Sequence, residues 1–231
     1  MMTPPVIRTP GIRVRPFDEE SVTFQGFSAT IHGTVTRPPE GAPARALVLA
    51  HGRNGGGDEP MIETLAKRAA VIGLWTLRFD FGFVETGAEP SAGHEDEIAD
   101  LREAVAFARR TTGLDKVTIA GRGLGAWAAV ACATDEDTED LILLGLSYTG
   151  QEERRMALER LAEFEVPTLI IVGSASDRLD LPALRELVAR MPFIELEVLE
   201  GADHRLRDSE EHPMVAAVLA RCETWLRART G

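Results

Sequence analysis

Positive charge is in short supply in this chain. Its 231 residues carry 25 Lys and Arg against 37 Asp and Glu, a net charge of −12, which repels a phosphate backbone and an anionic lipid surface. Nucleic acids and membranes are therefore not expected as partners. No apolar run approaches the ~20 residues of a membrane-spanning helix, and the N-terminus lacks a basic region followed by an apolar one. The expected location is the cytoplasm. Cysteine is scarce too: Cys132 and Cys222 each lie inside an apolar helical pattern without CxxC or metal-ligand spacing, so they read as buried free thiols. His32, His94 and His212 fall on a strand or in charged loops, no two of them at metal-ligand spacing. Neither a metal nor a cofactor is expected.

What is present suits one sizeable core, with 44% hydrophobic residues in a chain of this length. Residues 1–19 hold four of the 13 prolines and no apolar period, which predicts an extended lead-in to a single domain over 20–231. Alternation at Val22 and Phe24, then at Ile31, Gly33 and Val35, predicts an antiparallel edge hairpin turning near Gly26. Beyond Pro43 the pattern changes to short apolar runs at Ala46–Ala50, Leu74–Phe81, Val117–Ala120, Leu141–Leu146, Thr168–Val172 and Ile194–Leu199. Strands covered on both faces read this way, and their alternation with helical patterns predicts parallel βαβ units. The fold class is α/β, a doubly wound and mostly parallel sheet.

Three helices show one apolar stripe each, through Met61–Ala69, Ile98–Ala108 and Met214–Leu226. Leu124–Thr134 is apolar nearly all round, as a covered central helix must be. Residues 150–164 are strongly charged with a thin apolar side and predict one surface helix. No residues remain for a large lid.

Three segments in order carry a specific resemblance: Leu47-Val-Leu-Ala-His-Gly-Arg53, Thr118-Ile-Ala-Gly-Arg-Gly-Leu-Gly125 and Gly201-Ala-Asp-His204. Together with Leu77–Phe81 and Val166–Gly173 they resemble the small lidless α/β-hydrolases of the dienelactone-hydrolase-like type, over about residues 20–229. In that family the middle motif is G-x-S-x-G, a strained elbow presenting a nucleophilic serine. Here Gly121 and Gly125 hold the flanking positions, and Gly123 stands in the serine's place. Without a hydroxyl there is no atom to acylate. Either glycine is the residue that relaxes a strained turn, or the missing side chain makes room beside His204.

The resemblance implies that His204 is the catalytic histidine and that Asp177 is its acid, with Asp180 as the alternative because Asp177 lies one residue beyond the commonest spacing. It also implies an oxyanion hole from the backbone N–H groups of Leu124 and Arg53. His51 reads as structural, and Gly55-Gly56-Gly57 as a flexible loop. Ser147 and Ser174 end strands on the same side but stand on no elbow. Arg53, Arg178 and Arg205 fall in loops expected at the C-terminal strand ends, where open α/β sheets bind ligands. They either hold an anionic substrate or pair with nearby carboxylates.

Three functions follow. The first is serine-independent His–Asp acid/base chemistry on a small ester, lactone or carboxylate. The second is a pseudo-hydrolase that binds a ligand or a protein partner. The third is an esterase disabled by substitution at Gly123. The oligomeric state is not legible.

Overall fold

The structure, a computed structural model, describes residues 17–39, 41–147 and 152–229. Most of the expected lead-in lies outside those residues. The N-terminal alternation folds as the hairpin β1 (Asp18–Gln25) and β2 (Thr30–Arg37), with Phe24 opposite Ile31. Along β2, Ile31 and Val35 are buried while Thr30 and His32 are exposed.

The six apolar runs are the strands β3 (Arg45–Ala50), β4 (Leu74–Phe79), β5 (Val117–Arg122), β6 (Thr138–Leu144), β7 (Thr168–Gly173) and β8 (Ile194–Leu199). They pair in parallel, β2 joins β4 antiparallel, and the sheet order is β1-β2-β4-β3-β5-β6-β7-β8. The order reverses direction at β3, whose neighbours are β4 and β5. Crevices open at such a switch point.

Alternate side chains of β3 serve two cores. Leu47 and Leu49 pack with α1 (Pro60–Val71) and α8 (Val215–Arg227), while Ala46, Val48 and Ala50 pack with α3 (Glu95–Thr112) and α4 (Leu124–Cys132) on the other face. Strands buried on both faces cannot alternate in polarity, which is why their sequences read as unbroken apolar runs. Cys132 and Cys222 are buried free thiols, each pushed up to about 12 by burial.

Two short helices go beyond the sequence expectation: α2 (Gly82–Thr86), too short to show a period, and α7 (Leu181–Val188), whose Leu184 and Leu187 are buried at helical spacing. The charged stretch 150–164, expected as one helix, is instead α5 (Glu152–Glu159) and α6 (Leu161–Phe164), separated at Arg160. Leu158 and Leu161 on either side of the break are buried, so the stretch is docked by its thin apolar side. Its first two residues are not described. Gly55–Gly57, expected as a flexible loop, is tied down: the Gly57 N–H donates to Asp80 Oδ1 at 2.7 Å and the Glu59 N–H to the Gly56 carbonyl at 3.0 Å. Among the described residues no large lid covers the C-terminal strand ends, and no helix is long and apolar enough to cross a membrane.

Candidate active site

Between the end of β5 and the start of α4 the backbone turns at Gly123, with φ 54° and ψ −108°. A positive φ of this kind is uncommon for any residue with a side chain. The turn is clamped on both sides, because the Gly123 N–H donates to the Leu144 carbonyl at 2.9 Å and the Gly125 N–H to the His51 carbonyl at 3.1 Å. A Cβ at Gly121 would run into the Gly125 backbone, and one at Gly125 would sit 2.6 Å from the His51 carbonyl oxygen. The flanking glycines therefore let strand and helix approach. At Gly123 the space is open: a Cβ would meet nothing nearer than Gly52 Cα at 4.0 Å.

His204 stands in the loop after β8 with Nδ1 3.3 Å from Asp177 Oδ1. The His204 side chain is 20% exposed and that of Asp177 79%. His204 Nε2 is out of solvent and has no hydrogen-bond partner among the described residues. Burial, followed by the Arg178 cation, holds the imidazole below its ordinary pKa of 6.5, against the opposing pull of Asp203 and Asp177. The ring is therefore neutral at pH 7. The loop is held by Asp203, which accepts the Arg205 N–H at 2.8 Å and the Arg207 N–H at 2.9 Å. Asp180, the alternative acid, uses its carboxylate to cap α7, accepting the Ala183 N–H at 3.0 Å.

Leu124 is the first residue of α4, where a backbone N–H has no acceptor within the helix. Across the cleft, the loop Gly52–Arg53 is pinned by the fully buried His51. Its Nε2 accepts the Phe81 N–H at 3.1 Å, so its proton is on Nδ1 and is donated to the Gly52 carbonyl at 2.7 Å. Burial lowers the pKa of this ring and keeps it neutral. Of the two strand-end serines, Ser147 lines the cleft, and Ser174 Oγ accepts the Gly201 N–H at 2.8 Å.

The cleft has a volume of about 670 Å³, and Gly123, Leu124, Asp177 and His204 all line it. That is ample for a small molecule. Its walls also carry Arg53, Arg122, Arg154, Arg178, Arg205 and Arg207. Arg53 pairs with Glu89 at 2.6 Å in an exposed contact, Arg122 pairs with Glu59, and Arg207 pairs with Asp203 at 2.8 Å. Glu59, partly buried, is itself raised by desolvation against the pull of Arg122. For Arg154, Arg178 and Arg205, no carboxylate lies within ion-pair distance among the described residues. Three of the six were not foreseen. Arg122 could have been, since it immediately precedes Gly123; Arg154 sits in a charged stretch with nothing to single it out.

A glycine-clamped strand-to-helix elbow at the C-terminal edge of a parallel sheet, facing a histidine loop across a cleft, defines the architecture of the α/β-hydrolases. The chain belongs to the alpha/beta hydrolase domain family, which it matches over residues 43–220. Solved structures of similar fold include an alpha-beta serine hydrolase homologue from Coxiella burnetii, 21% identical with a TM-score of 0.70, covering 92% of this chain and 97% of that one. A dienelactone hydrolase from Anabaena variabilis is 20% identical with a TM-score of 0.72, covering 93% and 99%. A serine hydrolase without a lid from Xanthomonas campestris is 17% identical with a TM-score of 0.71, covering 94% and 97%. No curated protein matches the chain. Likeness at these identities carries the fold and leaves the substrate to the site.

Proposed function

We propose that this protein transfers protons on a small anionic ester, lactone or carboxylate, with His204 as general base and without a covalent acyl-enzyme. The observation that supports this most is the state of His204: a neutral imidazole with Asp177 beside Nδ1 and a buried Nε2 that has no hydrogen-bond partner among the described residues. With its proton on Nδ1, 3.3 Å from Asp177, the ring keeps the Nε2 lone pair for the substrate side. It takes a proton either from a water, whose oxygen then adds to the carbonyl carbon, or from the carbon next to that carbonyl. Asp177 stabilises the imidazolium that results, which returns its proton to the alkoxide expelled when the C–O bond of the water adduct breaks, or to the enolate in the second case. The Leu124 and Arg53 N–H groups receive the oxyanion or enolate oxygen. Gly123 leaves the space in which that water or carbon stands.

The wide exposure of Asp177 favours a second reading, binding without turnover, since an exposed pair is weakened by solvent. Turnover of small anionic esters and lactones separates the two. His204→Ala is expected to lower kcat by about 10²–10⁴ while ligand binding stays nearly intact. A base works only when unprotonated, and the pKa of His204 lies below 6.5. Activity should therefore persist as the pH falls from 8 to 6.5 and be lost only below that. Turnover unchanged in the alanine variant removes the proton-transfer reading; saturable binding with no turnover in the wild type establishes the second.

A further inference from the structure

Among the cleft arginines, Arg154 has the most constructed surroundings. It enters from α5, is partly buried, and burial draws its pKa down. Its Nη1–H donates to the Ser147 carbonyl at 3.0 Å, the same oxygen that accepts the Trp127 indole N–H at 3.0 Å. The guanidinium lies 5.3 Å from the centre of the Trp127 ring, within cation–π range. Its Nη2–H donates to His94 Nε2 at 3.0 Å.

An arginine N–H only donates, so His94 Nε2 is the acceptor and its proton rests on Nδ1, 3.4 Å from Glu97 Oε2. Glu97 is 1% exposed and accepts the Ser91 N–H at 3.0 Å and the Ser91 hydroxyl at 2.9 Å. His94 immediately precedes α3 at φ 63°, and its Nδ1 makes no hydrogen bond to Glu97 or to any other described residue. The guanidinium is thus fixed from two sides, by the Ser147 carbonyl and by His94 Nε2. Among the described residues, only two of its five N–H donors find an acceptor.

Arg178 and Arg205 stand exposed in loops on the same cleft, Arg178 acting electrostatically on His204. Three cations without carboxylate partners among the described residues thus line one cavity of a chain whose net charge is −12. We propose that Arg154 is a specificity-determining residue of this cleft, positioned by His94, and that its ligand is a small molecule with at least two negative charges. One anionic group meets Arg154, and the remaining charge meets Arg178 and Arg205. This rests on reading the cleft as the substrate site, but its test needs no turnover.

Calorimetric titration of the full chain at low ionic strength uses glutarate, inorganic phosphate and, as a monoanion, propionate. One dianion is expected to bind with unit stoichiometry and at least ~10-fold more tightly than propionate. The tighter of glutarate and phosphate assigns the group as carboxylate or phosphoryl. Arg154→Gln should weaken that binding by about 10- to 100-fold, the loss expected for a charge-assisted pair. Arg110→Gln, exposed on α3 outside the cleft, should leave it unchanged. His94→Leu should weaken binding, and His94→Gln, which keeps an acceptor for Arg154, should restore most of it; a merely structural role for His94 predicts no such rescue. Where Arg154→Gln does not fold, the double variant Arg178→Gln/Arg205→Gln should weaken the dianion more than propionate. The proposal is overturned if neither dianion saturates, if propionate binds equally well, or if a folded Arg154→Gln protein binds like the wild type. Dianion binding with no effect of His204→Ala on turnover would sink the proton-transfer reading alone.

Discussion

Gly123 holds a backbone conformation that a side chain finds costly, in a space that a side chain would fit. Those two facts set the outcome of Gly123→Ser. The turn should cost about 1–3 kcal/mol of stability, readable as a lower denaturation midpoint. The new hydroxyl enters the cleft that His204 lines, and a serine-directed phosphonate should then add to the protein, seen as a mass increase absent from the wild type. A folded serine variant that stays unlabelled would mean that His204 does not reach this position. Gly123 and His204 could be singled out from the sequence because motif order marks them. The choice between Asp177 and Asp180 could not be read from spacing, since only two residues of loop separate two equally acidic candidates. Three-dimensional placement separates them: one lies 3.3 Å from His204 Nδ1, and the other caps α7. His94 reads as an ordinary histidine of a charged loop, because the arginine that donates to it, Arg154, is 60 residues away in the chain and meets it only in the folded structure.

At the scale of elements, the site depends on how closely α4 approaches β3. Gly125 touches the Ala50 and His51 carbonyls where any Cβ would overlap them. These are backbone atoms of a central strand and cannot step aside. Gly125→Ala should therefore lift the start of α4 away from the sheet and cost about 3 kcal/mol, within the range for overpacking and backbone strain. A fall in melting temperature together with weaker anion binding would be the readout; an unchanged melting temperature would show that the helix is free to shift. α4 was legible because a helix covered on all sides must be apolar on all sides, and eight of its nine residues are buried. The break between α5 and α6 was not, since Arg160 is neither glycine nor proline and nothing in the local pattern stops a helix there.

Across the whole molecule, the cleft and the main buried ion pair lie at opposite ends of the parallel strands. At the N-terminal end, Arg45 of β3 pairs with Asp140 of β6 and donates to Thr118 Oγ1 of β5 at 2.7 Å. Asp140 is almost completely buried, and desolvation raises its pKa despite the arginine. Arg45→Met should leave that carboxylate without its cation and cost about 3–5 kcal/mol, measured by denaturant unfolding. Dianion binding at the far end should persist in the folded fraction. If stability is unchanged, the pair contributes nothing and the three strands are held by apolar packing alone. The amino-acid sequence by itself determined the α/β class, the hairpin, the covered α4 helix and the ordered motifs ending in Gly123 and His204. Each is a local matter of period, burial or spacing, written within a few residues of itself. Tertiary structure alone decided which carboxylate meets His204, which arginines lack a counter-charge among the described residues and what holds Arg154. Those depend on distances between loops far apart in the chain, and charge pairing is settled by distance.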